Sequence, residues 1–157
     1  MNTNDILYKI TKALSLSQDD ILEIYKLEKY PMTQQRLDSL LKRKYDKDFE
    51  LCSYEELGVF LDGLITYKRG QSPNKTSDDE AVELNNNLIL KKLRVALELK
   101  EFEVDLILKL VDVELTKQQI KSLFRNPVHK NFKLCPDELL MVFLDGLDEF
   151  YFDGSNV

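Results

Sequence analysis

Few side chains in this chain of 157 residues have chemistry to offer, and they fall into four groups. Cys52 and Cys135 each stand just ahead of a predicted helix start. The positive end of a helix dipole lowers a thiol pKa, so one expectation is a pair of reactive thiols. The other is a small apolar residue packed beneath the helix start, the commoner role of a free cysteine. His129 is the single histidine, in His129-Lys130-Asn131-Phe132. Together with Cys135 it offers two ligands where a structural zinc takes four. No catalytic residue, cofactor or metal site is therefore expected. Asp62-Gly63 and Asp145-Gly146 interrupt sequences that otherwise suit a helix. A glycine there costs about 1 kcal/mol against alanine. Close approach of another helix is the expected reason, with a ligand nearing the backbone as the alternative. Asn4 and Asn87, the latter ending Asn85-Asn86-Asn87, are expected as helix N-caps, although an amide can also bind a ligand or a base edge.

Charge is a further feature. The net charge is −6, which argues against a non-specific nucleic-acid binder. Yet Thr33 to Lys47 carries Arg36, Lys42, Arg43, Lys44 and Lys47 against Asp38 and Asp46. Thr116 to Lys133 carries Lys117, Lys121, Arg125, Lys130 and Lys133 against no acid. Each segment reads as a short basic helix after a break, the outline of a helix-turn-helix. The candidate partner or nucleic-acid surface is thus Arg36, Lys42, Arg43, Lys47, Lys117, Lys121, Arg125, His129 and Lys130. A solvated basic face with no partner is the plainer alternative.

The elements that position these residues come in two copies. Offset by 83, Asn4–Tyr67 matches Asn87–Phe150 without a gap at 26 of 64 positions. Val59-Phe60-Leu61-Asp62-Gly63-Leu64 meets Val142-Phe143-Leu144-Asp145-Gly146-Leu147. Such a register marks a duplication. Each copy reads as four helices with apolar residues at a 3.6-residue period. The first carries Ile6, Leu7 and Ile10, or Ile89, Leu90 and Leu93. The second follows a capping box at Ser17-Gln18-Asp19-Asp20, and Thr33 and Thr116 cap the third. The fourth buries Leu57, Phe60, Leu61 and Leu64, or Leu140, Phe143, Leu144 and Leu147. Pro136 suits its first turn in the second copy, and Gly70 closes it in the first. Residues 1–70 form one repeat and 87–157 the other. Residues 71–86 form a linker in which Thr76 or Ser77 suits the cap of a short helix. The fold class expected is all-α, two tandem four-helix units packed with pseudo-twofold symmetry.

Nothing approaches the roughly 18 apolar residues of a membrane span, and Met1 to Asp5 has no leader character. Two cysteines are too few for a disulfide framework, so a cytoplasmic protein is expected. Asn85-Asn86-Asn87 with Leu90-Lys91-Lys92-Leu93-Arg94, His129-Lys130-Asn131-Phe132-x-x-Cys135 and Phe143-Leu144-x-Gly146-Leu147 resemble the bacterial YehS-like family. The resemblance implies a duplicated domain of unknown function and no transferable activity. The first copy departs from it, with Asp46-Lys47-Asp48-Phe49 in place of the histidine stretch.

The function expected is a non-enzymatic interaction module of the bacterial cytoplasm, meeting a protein partner or a second copy of itself. Its surface would be the paired third helices or a cleft between copies. The alternatives are a nucleic-acid-binding regulator using the basic third helices, and a small-ligand binder or thiol-dependent enzyme. A membrane partner is not expected.

Overall fold

The computed structural model describes residues 2–71 and 83–152, so the cap expected at Thr76 or Ser77 lies outside the described residues. Those residues form eight helices and no strand: α1 (Thr3–Ala13), α2 (Gln18–Leu27), α3 (Gln34–Leu40), α4 (Tyr54–Arg69), α5 (Asn86–Leu97), α6 (Glu101–Lys109), α7 (Lys117–Phe124) and α8 (Asp137–Tyr151). No helix among them is long and apolar enough to cross a membrane.

Local chemistry sets the helix starts. Ser17 and Asp20 form a reciprocal capping box at α2, and Thr116 and Gln119 form one at α7. Ser53 and Glu56 do the same at α4. Each box satisfies two N–H groups that lack a partner inside the helix. Gly70 ends α4 at φ +82°, in the left-handed region that glycine tolerates best. Pro136 stands one residue earlier than its sequence suggests, as the N-cap of α8.

The two repeats are interleaved rather than set side by side. α1 packs on α8 and α4 packs on α5, so each fourth helix lies against the first helix of the other repeat. Ion pairs give the direction. Lys9 Nζ meets Asp145 at 2.5 Å and Lys12 Nζ meets Asp148 at 3.6 Å, so α1 and α8 run parallel. Asp62 pairs with Lys92, and Arg69 lies 3.4 Å from Glu98, so α4 and α5 do too. Lys9–Asp145 and Lys92–Asp62 are the same pair under the 83-residue offset, which makes the symmetry a pseudo-twofold along the bundle. α2 and α6 flank α4 and α8. The buried apolar residues of both repeats form one continuous cluster, from Ile6 and Leu7 to Leu144 and Leu147.

The Asp-Gly positions are packing devices. A Cβ on Gly63 would stand 2.3 Å from the carbonyl oxygen of Ile24 on α2. A Cβ on Gly146 would stand 2.4 Å from that of Ile107 on α6. Only glycine lets the backbones come so close. The aspartates beside them hold the repeats together.

Candidate functional site

The two asparagines are not caps. Asn2 and Asn85 cap α1 and α5, and Asn4 and Asn87 lie two residues further on in the first turn, buried. Asn4 Nδ2 donates to the carbonyls of Leu40 (2.9 Å) and Glu50 (3.0 Å), and its Oδ1 accepts from Cys52 N–H (2.9 Å). Asn87 repeats this with Leu123 (3.0 Å), Lys133 (2.8 Å) and Cys135 N–H (2.9 Å). A short polar side chain thus satisfies three buried backbone groups and fastens the third helix and its loop to the first helix. Thr3 Oγ1 and Asn86 Nδ2 add a bond each, to the carbonyls of Cys52 (2.7 Å) and Cys135 (2.9 Å).

Both thiols are buried inside this brace, and the expectation of reactive cysteines is corrected here. Burial pushes the Cys52 thiol up to about 12, with the nearby Glu56 charge adding to the shift. Burial and then Asp137 push Cys135 up to about 11. Loss of solvent around a thiolate outweighs the helix dipole that the sequence offered. A thiol held protonated and out of solvent is a poor nucleophile.

Of the basic residues, Arg36 is also withdrawn from the expected surface. Its guanidinium grips the buried Glu56 through Nε (3.0 Å) and Nη2 (2.7 Å), with Nη1 on Glu50 (2.9 Å) and Nη2 also on the Leu51 carbonyl (3.0 Å). In the second repeat Gln119 and Leu139 occupy the places of Arg36 and Glu56. Lys42, Arg43 and Lys47 are exposed but share their loop with Asp46, Asp48 and Glu50. Lys42 and Arg43, with Lys44, rim an open groove of about 730 Å³ between the start of α1 and the loop, with Phe49 and Leu51 in its wall. It lies mainly within the first repeat, not in a cleft between the two.

The second repeat presents a different surface. Lys117, Lys121 and Lys130 are exposed, and Arg125 is half-buried with Nη1 3.4 Å from His129 Nε2. The exposed His129 shapes its own loop, its Nδ1 accepting from Asn131 N–H at 3.0 Å. Asp46 does the equivalent service in the first repeat by accepting from Arg43 N–H at 3.0 Å. The histidine thus replaces one loop-shaping acceptor by another.

Sequence reasoning missed α5 as part of this surface. α5 packs against α7, and the Arg94 guanidinium lies 4.7 Å over the Phe124 ring, adding Lys91 and Arg94 to the α7 cations. Residues 86–97 and 115–136 together carry eight lysines and arginines and no carboxylate. The matching residues 3–14 and 32–53 of the first repeat carry seven cations and five carboxylates. Lys92 pairs with Asp62, which leaves seven cations in these two stretches, and Glu98, just past α5 in the same groove as Lys91 and Arg94, pairs with Arg69. All twelve carboxylates of residues 87–157 fall in 98–114 and 137–153, which hold α6 and α8. Offset comparison of the two repeats was the signal that could have found this.

Two apolar features break the surface as well. Tyr45 and Val128 are matched loop tips, exposed at 93% and 90%. Phe102, Leu106 and Leu110 form an exposed stripe on α6 where the first repeat has Asp19, Glu23 and Leu27.

A family model described as a protein of unknown function (DUF1456) matches this chain twice, over residues 3–70 and 86–151. The chain is also similar to the uncharacterised protein YehS of Escherichia coli strain K12, with 33% identity over 147 residues that cover 94% of each chain. No solved structure matches significantly.

Proposed function

The chain belongs to the DUF1456 family of proteins of unknown function, and from that premise we propose a non-catalytic binding module of the bacterial cytoplasm that engages a polyanionic partner through the α5–α7 face of its second repeat. One observation carries this: five exposed lysines, two half-buried arginines and no carboxylate within residues 86–97 and 115–136, in a chain whose net charge is −6. Acids interspersed among lysines cancel a field within a Debye length of about 8 Å at physiological salt. A face cleared of them keeps a positive potential that draws a polyanion. Buried, unbridged thiols suit a reducing compartment, which supports the cytoplasmic placement.

The test is elution of the full chain from immobilised heparin along a salt gradient. The wild type is expected to bind at low salt. Lys117→Glu, Lys121→Glu and Lys130→Glu combined should pass straight through. Lys42→Glu, Lys44→Glu and Lys47→Glu combined should elute close to the wild type. Wild-type protein in the flow-through at low salt would sink the assignment, and so would equal losses in the two variants.

A further inference from the structure

We infer that the polyanion is duplex DNA and that α7 is the helix that lies in its major groove. This rests on the α5–α7 face being the working surface, and it adds what that surface fits. α7 follows α6 after seven connecting residues, 110–116, and packs on it through Ile120 and Leu123. The side of α7 away from the core shows Lys117, Gln118 and Lys121, all exposed. Lys117 and Lys121 are spaced four apart, so they share one edge of the helix about 6 Å apart at 1.5 Å per residue, and Arg125 follows at its C-cap, half-buried. The major groove of B-form DNA is about 12 Å wide and admits one α-helix. Cations along one edge meet phosphates, and Gln118 between them brings an amide that can both donate and accept, the pairing that reads an adenine edge. Lys91 on the neighbouring α5 and Lys130 in the following loop, both exposed, extend the cation set beyond the helix.

Duplex is favoured over single strand by what the face lacks. Single-strand binders stack bases on open aromatic rings. Phe124 is covered by the Arg94 guanidinium, and Phe132 is half-buried in its loop. DNA is favoured over duplex RNA because the A-form major groove is too deep and narrow for a helix. The first repeat does not provide a second reading helix. α3 has Asp38 where α7 has Lys121, and its Arg36 is locked on Glu56. One repeat therefore meets one groove.

Fluorescence anisotropy of the full chain against a labelled pool of 20-base-pair DNA duplexes with randomised centres tests this. Single-stranded DNA and duplex RNA of the same lengths serve as comparison probes. About five phosphate contacts predict an affinity that falls about 500-fold between 50 and 200 mM salt. Binding to duplex DNA should exceed that to either comparison probe at least tenfold. Gln118→Ala should keep heparin retention and the salt slope but abolish selection of particular centres from the pool. Heparin retention with equal or tighter binding to single strands or duplex RNA overturns the DNA assignment and leaves the polyanion surface standing. Unchanged centre selection by Gln118→Ala overturns the role of α7. Failure on heparin removes both.

Discussion

Replacing Gly63 by alanine would set a new methyl group against a backbone carbonyl. The added Cβ would lie 2.3 Å from Ile24 O and 2.8 Å from Ile24 Cγ2. A carbon and an oxygen need rather more than 3 Å, so α2 must retreat from α4 by about 1 Å. The obstruction is main chain, which has no rotamer to escape into. The cost therefore falls near the upper end of the range for overpacking, about 3 kcal/mol. Alanine repays about 1 kcal/mol through its helix propensity, leaving a net loss of about 2 kcal/mol. At this chain length that lowers Tm by about 4–8 °C. Gly58 in the same helix is the internal control, because a Cβ there meets nothing within 4 Å. Gly58→Ala should gain about 0.5–1 kcal/mol, since only the propensity term remains. Gly146→Ala, with Ile107 O at 2.4 Å, should behave like Gly63→Ala. Urea denaturation followed by circular dichroism measures all three. A Gly63→Ala protein as stable as Gly58→Ala would refute the claim that helix contact, not a ligand, explains the paired glycines.

Two further outcomes follow from the buried groups. Burial alone would raise the Glu56 carboxyl, but the Arg36 and Ser53 hydrogen bonds outweigh it and hold the group below its ordinary 4.5. A depressed carboxylate contributes stability that is present above the unfolded value and lost as pH falls through the folded one. The urea midpoint of the wild type should therefore drop more steeply below about pH 4.5 than that of Glu56→Gln, and equal slopes would refute the pairing. Cys52 and Cys135, raised to about 12 and about 11, should leave a thiol reagent at pH 8 nearly unreacted in the native protein and titrate as two thiols in denaturant. Rapid native labelling of either would restore the case for thiol chemistry.

Much of the scaffold was legible because its causes are local. Ser17 with Asp20 and Thr116 with Gln119 are capping boxes wherever they stand before an apolar run. The core faces of α4 and α8 follow from period alone, and the paired glycines announced a close approach. The misreadings came where a side chain works at long range. Asn4 has the composition of a cap, but its amide bonds groups 36 to 48 residues away. Arg36 has the charge of a surface residue, but a carboxylate 20 residues on neutralises it. Periodicity also says which face of a helix is buried without naming its partner. Nothing in α1 indicates that it lies on α8 rather than on α4. The basic face suffered the same limit, since Lys91 and Arg94 join the α7 cations only after folding.

The interleaving explains why the repeats agree inside and differ outside. Lys9 needs Asp145 and Lys92 needs Asp62, so each repeat supplies half of the other's seam. A change to either half strands a partner in the other repeat, at a higher cost for the buried Lys92 than for the more exposed Lys9 and Asp145. The paired lysines and aspartates are therefore locked to one another across the repeats, while the glycines and asparagines fix contacts within each repeat. Surface residues carry no such cross-dependence. In a symmetric homodimer every surface substitution would appear twice, and one basic face would be met by a second equal one. Joining two copies in one chain removes that constraint. The first repeat spends its arginine on closing a loop through Glu56, and the second leaves the same site neutral with Gln119 and Leu139. The second can clear its carboxylates from α5 and α7 while the acids of α6 and α8 keep the whole chain negative. A binding face on one side of a pseudo-symmetric scaffold is what that freedom allows, and it places the search for a partner on α7 rather than on the symmetry axis.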